Sequence, residues 1–230
     1  KKRKNDIVGV FLTHGHADAI GALPYFLMDF DVPVFGSEMT IALAKLAVKG
    51  HKEVKKFNDF HVVDESTAID FNDVTVSFFA TTHTIPETLG IVLETSEGNI
   101  VYTGDFKFDQ TASTGYQTDL ARLAEIGSQG VLALLSDSAG AGITGASARE
   151  KDIGEYILET FKYQKGRIVV ASVASNIMRV QQIIDAAVKV GRKLVLSGED
   201  IEQIIDTAMQ LGKLKLPKDL LISMEEANDL

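Results

Sequence analysis

The sequence predicts an α/β fold, and three observations predict it. Short apolar runs ended by turn residues recur along the 230-residue chain, the pattern of buried strands. Amphipathic segments alternate with them: Ile201, Ile204, Ile205, Ala208 and Met209 fall at i, i+3, i+4, i+7 and i+8, one face of a helix. A stretch rich in Gly, Ala and Ser, residues 136–147, separates two differently organised halves. Such alternation specifies helices layered on sheets.

Taken in order, residues 7–13 (IVGVFLT) read as a buried strand ending at a histidine loop. Residues 22–30 read as a helix and 32–35 as a short strand. Ser37 is placed to cap a helix over 38–48, with Gly50 as its stop. The period then changes: residues 57–63, 74–79, 89–94 and 100–103 are β-type runs, with Ser96-Glu97-Gly98-Asn99 as a turn. A helix over 119–126 and a strand over 131–135 follow. Beyond the linker come a helix to residue 161, a strand over 167–172, a helix over 175–190, a strand over 193–196 and a helix over 201–211. Residues 1–146 are expected to form one mixed α/β unit and 147–230 the start of a second.

Composition narrows the function classes. Hydrophobic residues make up 45% of the chain and the mean hydropathy is +0.09, a core-forming rather than disordered balance. There is no cysteine, so disulfides and thiolate metal sites are excluded and any metal must use His and carboxylate ligands. A reducing cytoplasm fits that composition. The basic start, Lys1 to Lys4, resembles a signal n-region, but the apolar run behind it is too short to complete one. No stretch approaches the roughly 20 apolar residues of a membrane span, so a soluble protein with no membrane partner is expected. A net charge of −9 argues against indiscriminate polyanion binding; a local basic groove or a bound dication can still dominate the field at one site.

Three segments carry chemistry. The first is Thr13-His14-Gly15-His16-Ala17-Asp18-Ala19-Ile20-Gly21, the second Thr81-Thr82-His83-Thr84, the third Tyr102-Thr103-Gly104-Asp105. His14 and His16, two apart at the end of an extended run, project on one side. Two neutral imidazoles converging on a point suit a borderline cation such as zinc. Asp18 adds a hard oxygen ligand or a general base, and Gly15 and Gly21 allow tight turns. His83 and Asp105 each end a strand, so sheet pairing can bring both to the same edge. A lone His-x-His is more often incidental, and His51 and His61 read as ordinary surface or strand histidines. The ordered combination is far more specific.

With these residues the chain resembles the metallo-β-lactamase superfamily and, within it, the β-CASP nucleases of the ribonuclease J family. The likeness extends to Ala22-Leu23-Pro24-Tyr25, Thr84-Ile85-Pro86, Phe106-Lys107-Phe108-Asp109, Leu134-Leu135-Ser136-Asp137-Ser138 and Ala174-Ser175-Asn176-Ile177. It implies an αββα metallo-β-lactamase domain over 1–146, interrupted by a β-CASP α/β insertion whose first half is 147–230. It implies that His14, His16, His83 and bridging Asp105 hold one divalent ion, and that Asp18 and Asp105 help hold a second. Zinc is the first expectation, with manganese or magnesium as alternatives; Asp18 and His83 take the catalytic roles. The implied reaction is hydrolysis of RNA phosphodiester bonds, exonucleolytic from the 5′ end and also endonucleolytic, in the cytoplasm.

One position departs from the pattern. The superfamily's usual loop has a histidine directly after the aspartate, as a ligand of the second metal, and here that position is Ala19. A methyl group cannot coordinate, so a second ion would lose a ligand and activity would be weak. Ala19, Ala17 and Met178 most resemble the type 2 branch of the family, whose members join an active paralogue in mRNA decay and rRNA maturation. RNA and a paralogous ribonuclease J subunit, or a second copy, are therefore the expected partners. The family has strands upstream of the first histidine loop and further motifs downstream, so the sequence reads as part of a longer protein. A non-catalytic RNA-binding scaffold is the alternative, and a small-substrate metallohydrolase a more distant one.

Other signals carry less. Gly140-Ala141-Gly142-Ile143-Thr144-Gly145 matches a dinucleotide-binding pattern, but residues 136–139 intervene after the strand, where such a turn follows directly. Ser136-Asp137-Ser138 lacks a nucleophile elbow and reads as a strand end at the rim of the site. Ser175, Asn176 and Arg179 open a helix and could meet an RNA phosphate; an ordinary cap with a solvated arginine competes equally.

Overall fold

The computed structural model describes residues 3–113, 115–198 and 200–229. The chain divides into two compact units, Lys1–Ala146 and Ser147–Leu230.

The first unit contains two sheets. β1 (Val10–Phe11), β2 (Val34–Gly36) and β3 (Phe60–Val62) are parallel in the order β1-β2-β3. β4 (Ala68–Asp70), β5 (Val74–Ala80), β6 (Leu89–Thr95), β7 (Gly98–Tyr102) and β8 (Val131–Leu135) follow in sequence order, antiparallel up to β7 and parallel between β7 and β8. A core forms where the sheets face each other. Phe11 stacks on Phe35 at 4.9 Å and both pack on the cluster of Val63, Val76, Phe78, Leu89 and Ile91.

Three helical segments, α1 (Ala17–Ile20), α2 (Leu23–Leu27) and α3 (Glu38–Lys49), precede β3, and α4 (Leu120–Gln129) precedes β8. α3 packs on β2 and β3. On the far face of the larger sheet, Leu123 and Ile126 of α4 pack against Phe79, Val92 and Val101. The layer order is helix, sheet, sheet, helix, the αββα arrangement that the sequence led us to expect.

The second unit holds α5 (Glu150–Tyr163), α6 (Ile177–Val190), α7 (Ile201–Gln210) and α8 (Met224–Asn228). α5 and α6 pack together, and Phe161, Ile177, Ile184, Ala187, Ile205 and Ala208 are buried. Gly191, at φ +71°, ends α6, as a left-handed C-terminal residue should.

Several elements differ from expectation. Residues 167–172 form no strand among the described residues, and Val169 is 88% exposed. A β-branched run has strand character, but a strand exists only where a neighbour takes its backbone groups. Residues 193–196 are reduced to one bridge, Leu194 to Leu221, for the same reason. The first strand is cut to Val10–Phe11 because β2, its partner, is itself three residues long. The helix expected over 22–30 is one short helix, α2, preceded by the separate turn α1. The elements that went unread include a single 3-10 turn over Lys4–Asp6, β4, and α8 with its capping box of Ser223 and Glu226.

Candidate metal centre

His14 and His16 follow β1, His83 lies between β5 and β6, and Asp105 follows β7. The three segments meet at Thr13. Its carbonyl accepts the Leu89 N–H at 2.9 Å, tying the start of β6 to the first histidine loop. Its side chain fills the space where a Cβ on Gly104 would come within 2.9 Å. Gly104 also stands at φ +59°, so both conformation and space demand glycine beside Asp105. The hydroxyl of Thr13 lies 2.9 Å from His14 Nδ1, which turns Nε2 toward the centre.

Gly15 meets a different demand from the one its position suggests. It has no positive φ; a Cβ there would approach Leu43 of α3 to 2.7 Å and Ile85 to 3.3 Å. Close packing, rather than a left-handed turn, requires glycine between the two histidines. Gly21 likewise is right-handed, at φ −64°.

The geometry brings the ligand-type side chains together. The rings of His14, His16 and His83 stand 4.9 to 5.1 Å apart pairwise, all edge to face. One nitrogen of each lies within 4.8 Å of the other two, and one nitrogen of His14 and one carboxylate oxygen each of Asp18 and Asp105 are likewise within 4.8 Å of one another. Asp105 Oδ2 is 3.9 Å from both His14 Nε2 and His83 Nε2. That is too long for hydrogen bonds, but near the roughly 3–4 Å between ligands each about 2.0–2.2 Å from one ion. The buried Nε2 atoms of His14 and His83 have no hydrogen-bond partner among the described residues, although buried polar atoms are nearly always satisfied. His16 Nε2 lies 2.9 Å from Thr84 Oγ1, a contact that ties the first histidine loop directly to the loop carrying His83.

Electrostatics agree with the donor set. Burial, reinforced by the neighbouring imidazole, lowers the pKa of His14 and of His16 to about 4. His83 is lowered by the same causes, burial first and His14 next. All three rings are therefore neutral at pH 7, the form that binds metal. Burial raises the Asp105 carboxyl, opposed by His83. An open cleft of about 300 Å³ lies beside Asp105, lined by Tyr102, Leu135 and the 136–138 segment. Asp137 on that rim is held by its N–H to Thr103 Oγ1 and by the Ala139 N–H to its carboxylate. The donor set and the two orphaned nitrogens fit a divalent ion held by imidazole and carboxylate.

Outside the centre, His51 meets Tyr25 edge to face, and His61 pairs with Asp59 at 2.7 Å. In the second unit Asn176 caps α6 through Oδ1 to the Arg179 N–H. The Arg179 guanidinium reaches Gln182 at 2.6 Å and Glu150 at 3.4 Å, and Ser175 is buried. Sequence reasoning passed over Thr13, Thr84 and Glu87. Glu87, at φ +60°, accepts the Met39 N–H at 3.0 Å and so caps α3. Ser37 gives α3 no side-chain cap, its hydroxyl lying 2.8 Å from Thr40 Oγ1 instead.

An αββα sandwich with a His, His, Asp, His, Asp cluster at the ends of its strands defines a class, and the chain belongs to the metallo-β-lactamase superfamily, whose model matches residues 1–135. Within that class its resemblance is to ribonuclease J: the model described as "Ribonuclease J, beta-CASP domain" matches residues 165–230. The chain is 57% identical over 221 residues to "Ribonuclease J 2" of Streptococcus pyogenes serotype M3, covering 96% of this chain and 40% of that protein. It is 43% identical to the protein of the same name from Staphylococcus epidermidis, covering 99% of this chain and 41% of that one. It thus spans about two fifths of the length of these relatives. A crystal structure of a protein of unknown function from Enterococcus faecalis V583 shares the fold, with a TM-score of 0.68 at 16% identity, over 95% of this chain and 55% of the other.

Proposed function

We propose that the chain is part of a ribonuclease J type 2 subunit: a cytoplasmic, metal-dependent hydrolase of RNA phosphodiester bonds, weak by itself, that works beside a paralogous subunit in mRNA decay and rRNA maturation. The observation that carries this reading is the convergence of His14, His16, His83, Asp18 and Asp105 around a point, with Ala19 one residue beyond Asp18. His14, His16 and His83, with Asp105, would hold one divalent ion, and Asp18 and Asp105 would help hold a second. When bound, such an ion supplies Lewis-acid charge to a phosphoryl group and activates water near neutral pH. Thr13 and Thr84 orient two of the rings, and Asp18, which is exposed, would accept a proton. Ala19 has no donor atom, so the second position is the weak one. No helix among the described residues is long and apolar enough to cross a membrane.

The test compares degradation of 5′-monophosphorylated RNA in manganese by the intact protein, its His14→Ala/His16→Ala variant and its Ala19→His variant. The reading expects slow degradation that the double variant abolishes. It also expects Ala19→His to raise both the rate and the metal content per chain, from near one toward two. Equal rates in the wild type and the double variant would remove intrinsic catalysis from the proposal.

A further inference from the structure

The end of α3 and the turn that follows it are basic in an otherwise acidic unit. Residues 45–56 contain five lysines and a single acidic residue. Lys45 lies over the Phe60 ring, 5.6 Å from its centroid. The other four, Lys49, Lys52, Lys55 and Lys56, are exposed, and among the described residues none of them is paired with a carboxylate. The turn that presents them is well fixed. Val54 is buried, and hydrogen bonds from His51 to Val48, Val54 to His51 and Phe57 to Val54 follow one another through it.

An aromatic group adjoins this patch. Tyr25 of α2, seven residues after Asp18, is 62% exposed and meets the His51 ring edge to face at 5.0 Å. An edge-to-face contact fixes the phenol ring without covering it in a stack. The opposite part of α3 lies at the centre itself, where Leu43 abuts Gly15 and the Met39 N–H binds Glu87. Along α3, at about 1.5 Å per residue, Lys49 lies roughly 9 Å beyond Leu43. That is within the reach of a single strand occupying the roughly 4–16 nucleotides such tracks bind.

We infer that Lys49, Lys52, Lys55 and Lys56, with Tyr25, form a binding track for the backbone and bases of single-stranded RNA leading to or from the metal centre. The inference rests on the RNA reading proposed above. Concentrated positive charge that no carboxylate neutralises, on a unit of opposite overall sign, is complementary to a polyphosphate and holds it locally. An exposed aromatic ring beside the charges gives a base a surface to stack on.

The experiment measures binding of a 5′-monophosphorylated uridine 20-mer to the intact protein as a function of salt. Wild type is compared with Lys49→Gln/Lys52→Gln/Lys55→Gln/Lys56→Gln, and with the same charge change made at Lys162, Lys165, Lys189 and Lys218. Each lost phosphate contact lowers the slope of log affinity against log salt by about 0.7. The track variant should therefore lose about 2–3 in slope and bind about tenfold more weakly at moderate salt, while the control set and the four Lys→Arg replacements retain the wild-type slope. Tyr25→Ala should weaken binding about tenfold and Tyr25→Phe should not, as stacking requires. An unchanged slope in the track variant, or an equal loss in the control set, overturns the track and leaves the ribonuclease reading standing. A wild type that binds no RNA overturns both.

Discussion

Thr13 connects the three segments of the centre through three different atoms. Its carbonyl holds Leu89, its Cβ abuts Gly104, and its hydroxyl orients His14. Partners behind the ligands commonly contribute a factor of about 10–100 in metal affinity. Thr13→Val keeps the shape and removes only the hydroxyl, so the expected result is zinc affinity reduced by that factor with thermal stability nearly unchanged, read by chelator competition and a melting curve. Unchanged affinity would mean that packing alone orients the ring. The histidines also set a pH dependence. His14 and His16 titrate at about 4 in the folded chain, below their ordinary value of 6.5. Between those values the unfolded chain binds more protons, so stability rises with pH across that window. The urea midpoint of the metal-free protein should fall steadily as pH drops from 6.5 to about 4, and His14→Gln should flatten the fall.

At the scale of elements, β5 and β6 hold the loop that carries His83. Phe79 of β5 faces Gly90 of β6 in register, and a Cβ on Gly90 would stand 2.1 Å from the Phe79 ring. The ring is 1% exposed, so it cannot swing into solvent without opening the α4 side of the sheet. Gly90→Ala should destabilise the fold by about 3 kcal/mol, the upper part of the usual overpacking range, measured by urea denaturation; a loss near zero would show that the sheet yields at this point. Such pairings explain which elements could be read in advance. The strands over 74–79, 89–94 and 100–103 were legible because each finds a neighbour a turn away, so local pattern and tertiary pairing coincide. The run over 167–172 has the same residue types without a ladder, and pattern alone cannot tell the two apart. Glu87 is the comparable case for caps: Ser37 stands where a local cap belongs, yet a carboxylate from 48 residues further along takes the N–H.

For the molecule as a whole, the segment that joins the two units is its most accessible stretch. Residues 138–149 are exposed throughout and form only turns and bends up to Arg149. Exposed small-residue segments are the preferred sites of nicking. Brief elastase digestion should cut within 139–147 and give products with the sizes of the two units, identified by mass; initial cleavage inside 74–102 would contradict the stability assigned to that sheet. The types of residue at the centre were readable in the chain, because histidine and aspartate at strand ends are scarce and form an ordered series. The absence of a donor at Ala19 was equally plain, since coordination depends on the atoms a side chain owns. So were the alternation of helix and strand and the character of the linker, which follow from local period and composition. Convergence was a different matter: His14 and His83 are 69 residues apart in the chain, and the Leu89 to Thr13 and His16 to Thr84 hydrogen bonds, with the closeness of Gly104, bring the loops of the centre to one place. The orphaned nitrogens, the neutral imidazoles and the grouping of Tyr25 with His51 depend in the same way on burial and distance, which are set by the packing of two sheets and not by any run of neighbouring residues.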